Sequence, residues 1–284
     1  MKFNNVLLES DFDGTLKTDD GIITNDVKSA VKYFIKNGGY FTVCTGRIFQ
    51  GFHLYSPEYV NAPVLLGNGA MAYDYESDTV IFNDAIGDEG LESIFDILKA
   101  FPEICIEFYN FNKVCAINLN EHSEQHFTSQ GIDFEIVESP LDAPRPWTKV
   151  MIAAHGHSQE VQDILRKHTE ISFLETTGDY VEILKKGVNK GTGLLKLAQA
   201  LNCKEKDVYS AGDGYNDVDM LIAAAGGFVP ENGSKEALNV ARYVTRSNND
   251  GCIAHAIEIL DDIYYKGNVK KRRPYKTRYS KGVL

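Results

Sequence analysis

Apolar and polar residues alternate along this chain in blocks that are typical of strands followed by helices. The apolar run at residues 3–8 predicts a first strand, and residues 40–44 predict a second. Between them, Thr24 can cap a helix whose apolar face begins at Val27, and Gly38 can end that helix. Strands that alternate with helices predict a mainly parallel sheet, with ligands bound beyond the carboxyl ends of its strands.

The spacing of these blocks predicts two domains. The chain between Arg47 and Lys190 is far longer than one crossover connection needs, even after a strand and hairpin at residues 63–82. The remaining residues carry helical and strand patterns of their own. The predicted parts are a discontinuous core of residues 1–83 and 187–284 and an inserted α/β domain of residues 84–186.

Two carboxylates, Asp11 and Asp13, follow the first predicted strand within the sequence SDFDGTL of residues 10–16. Like charges this close resist joint ionisation unless a cation, hydrogen bonds or a shared proton relieves them. At the mouth of a sheet they indicate metal binding or carboxylate nucleophilic catalysis, although solvated turns have the same pattern. An EF-hand calcium loop is excluded, because its twelfth position would be Ile22 where that loop needs glutamate.

Three distant segments also place polar side chains and glycines where a predicted strand or loop ends. They are GYFTVCTGR at residues 39–47, KKGVNKG at residues 185–191 and VYSAGDGYND at residues 208–217. With the first motif, and with NGA at residues 68–70, they resemble the signature motifs of the haloacid dehalogenase superfamily of phosphohydrolases, in its Cof-type subfamily IIB. The resemblance implies a Rossmann-like α/β core with a mainly parallel sheet and an inserted α/β cap of the C2B type.

The resemblance also implies a role for each matched residue. Asp11 would attack phosphorus to form an aspartyl-phosphate, and Asp13 would act as general acid and then as general base. Thr45 would bind a phosphoryl oxygen, and Lys190 would offset negative charge. The implied set is Asp11, Asp13, Thr45 and Lys190 for catalysis, Gly46 and Arg47 for substrate binding, Asp11, the Asp13 carbonyl and Asp213 for Mg²⁺, and Asn216 and Asp217 in support of the metal site. Arg47 could equally form a structural ion pair.

The identity of residue 13 narrows the expected activity. Superfamily members that preserve their aspartyl-phosphate, such as ion-pumping ATPases, carry Thr where this chain has Asp13. An acid/base beside the intermediate favours its transfer to water or to a sugar hydroxyl. We therefore expect a Mg²⁺-dependent phosphomonoester hydrolase that acts on small phosphorylated metabolites, above all sugar phosphates. The alternatives are a phosphomutase of the same fold and a non-catalytic sugar-phosphate sensor.

Composition and charge agree with an enzyme of the cytoplasm. Hydrophobic residues make up 43% of the chain and charged residues 24%, as in soluble globular proteins. No apolar run approaches the roughly 18 residues of a membrane span, and the start of the chain leaves no room for a secretory apolar region. The five cysteines are odd in number and widely spaced, which favours reduced thiols over disulfides or a zinc site.

Charge is distributed unevenly along the chain. The net charge is −11, but residues 263–284 contain eight basic residues and no acidic one. The 29 basic residues less these eight leave 21 against 40 acidic ones, so the rest carries −19. Such a surface disfavours nucleic acid and anionic membranes, and the expected partner is a small phosphomonoester bound by a monomer or homodimer. The basic tail itself could bind nucleic acid or extend into solvent.

Overall fold

The structure, a computed structural model, describes residues 1–52, 59–175 and 179–265, so the predicted basic tail lies almost wholly outside the described residues. The described strands are β1 (Leu7–Ser10), β2 (Tyr40–Val43), β3 (Val64–Leu66), β4 (Met71–Asp74), β5 (Thr79–Asn83), β6 (Cys105–Tyr109), β7 (Val114–Ile117), β8 (Glu135–Ile136), β9 (Lys149–Ala153), β10 (Ile171–Glu175), β11 (Tyr180–Lys185), β12 (Val208–Ala211), β13 (Gly226–Pro230) and β14 (Tyr243–Thr245). The described α-helices are α1 (Asn25–Lys36), α2 (Phe49–Phe52), α3 (Leu91–Ala100), α4 (Glu121–Gln130), α5 (Ser158–Leu165), α6 (Lys190–Ala200), α7 (Val218–Ala223), α8 (Lys235–Val240) and α9 (Cys252–Tyr265).

Five parallel strands form the first sheet, in the order β14-β13-β12-β1-β2. Strand β1 is buried along its whole length, and Ser10 at its end lies opposite Ala211 of β12 and Val43 of β2. The loops that follow these three strands therefore leave the sheet at one edge. The predicted mainly parallel sheet is confirmed, and it brings three of the four sequence motifs together.

The first helix follows the apolar pattern, whereas the first strand departs from it. The Thr24 side chain caps α1 by accepting a hydrogen bond from the Val27 amide at 3.4 Å. The strand predicted at residues 3–8 is wrong in its bounds, because β1 begins at Leu7. The Phe3 carbonyl accepts from the Val6 amide and Asn5 has a φ of 60°, so this stretch turns instead of extending. Phe3 is buried by packing its ring against Phe34.

A second, six-stranded sheet comes from the long segment between β5 and α6, in the order β10-β11-β9-β6-β7-β8. Its strands are antiparallel except for β7 and β8, and helices α3 and α5 match predicted helical patterns. Strands β3, β4 and β5 form a third sheet, and a bridge joins its residue Leu65 to Cys44, which directly follows β2. The predicted α/β fold class, with additional strands of the kind a cap contains, is confirmed.

Two features of this second region were not settled by the sequence. Helix α4 was missed, because its sequence EHSEQHFTSQ buries only Ser123 and Phe127 and shows no apolar stripe. The domain boundaries after residues 83 and 186 stay predictions.

None of the described helices is long and apolar enough to cross a bilayer.

Candidate active site

A cavity of about 290 Å³ lies at the carboxyl edge of the parallel sheet, beneath the six-stranded sheet. The predicted residues that line it are Asp11, Asp13, Thr45, Gly46, Arg47, Asp213, Asn216 and Asp217. Lys190 is fully buried beside it and contacts Asp11. The structure therefore brings together all the site residues that the sequence predicts.

Lys190 holds two of the carboxylates. Its ammonium nitrogen lies 2.5 Å from Asp11 Oδ1 and 2.6 Å from Asp217 Oδ1. Lys190 is the first residue of α6, and Asn189 fixes that start by accepting a hydrogen bond from the Thr192 amide at 2.8 Å. One buried cation therefore offsets part of the charge of two buried carboxylates.

Burial and the attraction of opposite charges act against each other in this pair. Burial raises the pKa of Asp11 above its ordinary range, the nearby carboxylates of Asp217 and Asp213 act in the same direction, and Lys190 opposes them. Burial acts to lower the pKa of Lys190, but Asp11 and Asp217 raise it well above its ordinary value. The site thus has more buried carboxylates than cations, which favours the binding of a further cation.

Asp13 has a different environment, at the more open side of the cavity. Arg47 donates to it from Nε at 2.9 Å and from Nη2 at 3.2 Å, and Lys17 donates at 2.9 Å. Burial alone would raise the pKa of Asp13, but these two cations hold it below its usual value. Arg47 lines the cavity, as a substrate-binding residue would, and it also forms an ion pair with Asp13. The structure is therefore compatible with both of the roles considered for Arg47.

Three carboxylates are close enough to share a metal ion. Ligand oxygens of Asp11, Asp213 and Asp217 all lie within 4.8 Å of one another. Carboxylate oxygens suit hard divalent cations such as Mg²⁺, so the donor set fits the expected metal. Gly14, with a φ of 84°, allows this close approach, because a Cβ there would lie 2.7 Å from Asp213 Oδ2.

Both carboxylate oxygens of Asp217 have partners within the protein. One of its oxygens contacts Lys190, and the other accepts from the amides of Asp213 and Gly214 at 2.9 and 2.8 Å. These bonds close the loop that presents Asp213. Thr15, which the sequence reasoning did not single out, donates to Asp213 Oδ1 at 2.6 Å and orients it further. Its position inside the first motif was the signal that could have identified it.

The cavity also contains groups from the six-stranded sheet that sequence reasoning missed. Lys149 of β9 donates to the Gly46 carbonyl at 2.8 Å and to Glu182 of β11 at 3.1 Å. Asn68 donates to Glu182 at 2.7 Å and accepts from Asn216 at 3.1 Å. Buried charges in otherwise apolar strands were the available signal for Lys149 and Glu182, because such charges are rare without a partner. The cavity is therefore lined by both sheets.

Comparison with known proteins identifies the family. A model of the haloacid dehalogenase-like hydrolases matches residues 8–257, which is most of the chain. The chain belongs to this family. It is accordingly an enzyme of the hydrolase class, and the superfamily to which its motifs pointed is confirmed.

Two relatives from Bacillus subtilis align with most of this chain. YxeH is 28% identical over 267 residues, which covers 89% of this chain and 97% of YxeH. YwtE, a 5-amino-6-(5-phospho-D-ribitylamino)uracil phosphatase, is 24% identical over 277 residues, covering 88% of this chain and 96% of YwtE.

Solved structures share the fold of this hydrolase. BT1666, a phosphatase of this superfamily from Bacteroides thetaiotaomicron, superposes with a TM-score of 0.79 at 21% identity, covering 91% of this chain and 96% of BT1666. The sugar phosphatase BT4131, of subclass IIB, also gives a TM-score of 0.79, at 19% identity, with 89% of this chain and 98% of BT4131 covered. At these identities the likeness establishes the fold alone.

Proposed function

We propose that this protein is a Mg²⁺-dependent phosphomonoester hydrolase that works through an aspartyl-phosphate on Asp11. The observation that carries the proposal is the place of Asp11 at the end of the buried strand β1, with Lys190 at 2.5 Å and Asp213 within the same carboxylate cluster. A nucleophilic carboxylate and a potential metal site thus face one cavity, with a buried cation directly beside them. This combination suits transfer of a phosphoryl group.

In the first step, an Asp11 carboxylate oxygen attacks phosphorus, and the bond from phosphorus to the ester oxygen breaks. Asp13 gives a proton to the departing oxygen, so that an alcohol leaves. In the second step, Asp13 accepts a proton from water as that water attacks the phosphorus. Inorganic phosphate and free Asp11 result, and Asp13 is protonated again. Arg47 and Lys17 favour the carboxylate form of Asp13 that the second step requires.

The charge of the reacting phosphate needs compensation, and three groups supply it in this proposal. Lys190 contributes a buried positive charge, and the hydroxyl of Thr45 lines the cavity where a phosphoryl oxygen would lie. Asp11, Asp213 and the Asp13 carbonyl would hold Mg²⁺, with Asn216 and Asp217 in support. When bound, Mg²⁺ supplies Lewis-acid charge stabilisation.

The substrate we propose is a small phosphorylated metabolite, most of all a sugar phosphate. The cavity of about 290 Å³ is near the lower limit of ordinary ligand pockets. Two relatives act on phosphate esters of hydroxyl-bearing carbon chains according to their names, a phosphoribityl compound for YwtE and sugars for BT4131. We also propose that residues 84–186 act as the cap, and that the enzyme works in the cytoplasm as a monomer or homodimer, without nucleic acid.

The test is release of inorganic phosphate from a panel of sugar phosphates, pyridoxal phosphate and flavin mononucleotide, with Mg²⁺ and with a chelator. We expect Mg²⁺-dependent release that Asp11→Asn abolishes while the fold is retained. Phosphate transfer between positions of a sugar, with little release, would instead indicate a phosphomutase. Binding of a sugar phosphate without any turnover would indicate a sensor.

A further inference from the structure

A carboxylate in the six-stranded sheet is buried behind the wall of the cavity and is surrounded by donors. Glu107 of β6 has no exposed surface. It accepts hydrogen bonds from the hydroxyl of Tyr109, from the hydroxyl of Tyr180 at 3.3 Å and from Nδ1 of His126 at 3.2 Å. A buried carboxylate with three donors fixes their orientation, because each bond that is lost removes part of the compensation for its buried charge.

His126 connects this carboxylate to the cavity. Because a carboxylate can only accept, Nδ1 of His126 carries the proton that it donates to Glu107. Its Nε2 is then an acceptor, and it lies 2.6 Å from the side-chain amide nitrogen of Gln130, which donates to it. The two residues are four apart on α4, so they share one face of that helix. Both line the same cavity as Asp13 and Arg47.

The chain around α2 leaves space for the Gln130 side chain of α4. Gly51 of α2 leaves the space that Gln130 occupies, since a Cβ at residue 51 would lie 2.6 Å from Gln130 Oε1. Helix α2 begins two residues after Arg47, so Gln130 is held next to the loop that presents Thr45. Ile48 and Met151 add apolar surface to the same cavity.

The cations of the cavity already have carboxylate partners. Arg47 contacts Asp13, and Lys149 contacts Glu182. Lys190 contacts Asp11 and Asp217. A second anionic group on a substrate would therefore have to compete with a carboxylate for each of these cations. Hydroxyl groups would not, because they can both donate to and accept from the side-chain amide of Gln130.

We propose that Gln130, positioned by Glu107 through His126, binds hydroxyl groups of a neutral leaving group and so determines substrate specificity. This inference rests on the proposed phosphatase function and narrows its substrate class. The preferred substrates are then monophosphates of sugars or polyols, and sugar bisphosphates or phosphorylated carboxylic acids are disfavoured.

The experiment compares Gln130→Leu and His126→Ala with wild type, with Gln125→Leu as the matched control. Gln125 is on the same helix, is exposed and contacts Glu121. Initial rates would be measured for sugar and polyol monophosphates, for sugar bisphosphates and for p-nitrophenyl phosphate, whose leaving group has no sugar hydroxyls. A melting curve of each variant reports whether it is folded.

We expect Gln130→Leu and His126→Ala to lower kcat/KM for sugar and polyol monophosphates by about tenfold, mainly through KM, as for the loss of one hydrogen bond. Their rates with p-nitrophenyl phosphate should stay within about twofold of wild type, and Gln125→Leu should match wild type throughout. Glu107→Gln tests the positioning role, and we expect it to reduce the same substrate preference.

Two results would overturn the inference while leaving the phosphatase function intact. One is an equal loss on all substrates, or no loss on any, by both Gln130→Leu and His126→Ala. The other is a wild-type preference for bisphosphates or phosphorylated acids. If wild-type protein releases no phosphate from any compound, p-nitrophenyl phosphate included, the proposed function fails and this inference fails with it.

Discussion

Asn68 donates a hydrogen bond of 2.7 Å to Glu182, and this bond joins the six-stranded sheet to the catalytic edge of the parallel sheet. The side-chain oxygen Oδ1 of Asn68 accepts from the side-chain amide of Asn216 in the loop that presents Asp213. Glu182 in turn contacts Lys149, which donates to the Gly46 carbonyl. One chain of polar contacts thus links both sheets on either side of the candidate phosphate site.

Removal of the Asn68 amide should loosen this link. Asn68 has a φ of 52°, so glycine is the substitution that removes the side chain without backbone strain. Asn68→Gly leaves a Glu182 oxygen without its donor, and we expect a loss of about 1–3 kcal/mol in unfolding free energy, together with a lower kcat/KM. Denaturant melts and phosphate release measure the two effects.

Asn202→Gly is the matched control, because Asn202 also has a positive φ, of 55°, but is exposed and does not line the cavity. We expect it to change activity little. Equal losses of activity in the two variants would contradict a specific role for the Asn68 side chain.

Lys190→Met should abolish most activity. The change removes the cation between Asp11 and Asp217 and leaves two buried carboxylates facing each other. Breaking buried pairs of this kind destabilises a protein by about 3–5 kcal/mol, and the loss of a charge-stabilising donor lowers kcat by at least about a hundredfold. Lys196→Met, on the same helix, removes a partly exposed pair with Asp84 and should cost no more than about 1 kcal/mol. Similar melting curves for the two variants would contradict this assignment.

Glu9→Gln should stabilise the protein at alkaline pH. Burial raises the pKa of Glu9 to about 8, while the positive charge of Lys190 and the Cys44 thiol only partly oppose this. The folded state therefore holds a proton that the unfolded state has lost, and stability falls as the pH rises from about 4.5 to about 8. Glutamine stays neutral and avoids this loss.

The advantage of Glu9→Gln over wild type should be small near pH 5 and exceed about 1 kcal/mol above pH 8, the equivalent of one unit of pKa. Melting temperatures across this range measure it. A difference that does not change with pH would show that Glu9 is not protonated in the folded protein.

Arg47→Met should change how activity depends on pH. Arg47 and Lys17 hold the pKa of Asp13 below its usual value against the effect of burial, so loss of Arg47 should raise it. More of Asp13 is then protonated at a given pH, and the fall of kcat/KM on the alkaline side should move to higher pH for sugar phosphates.

The same Arg47→Met variant should show no such movement with p-nitrophenyl phosphate, whose leaving group needs no proton. A shift of equal size for both kinds of substrate would indicate that Arg47 acts on another group than Asp13.

The sequence determined the parallel sheet and the cluster at its edge. Apolar runs that end in short polar motifs place Asp11, Thr45 and Asp213 at neighbouring strand ends, because parallel strands leave a sheet at the same side. The motif spacing also fixed where Lys190 enters, at the capped start of a helix. Together with the resemblance to the superfamily's motifs, these features assigned residues two hundred positions apart to one site.

The tertiary structure alone decided the other wall of the cavity. Glu107, His126 and Gln130 belong to a strand and to a polar helix whose pattern does not reveal which side faces the site. Lys149 and Glu182 are placed at the cavity by contacts with Gly46 and Asn68, which are far away in the sequence. Local periodicity reports which face of an element is buried, whereas the packing of one sheet over another sets which polar groups meet the substrate.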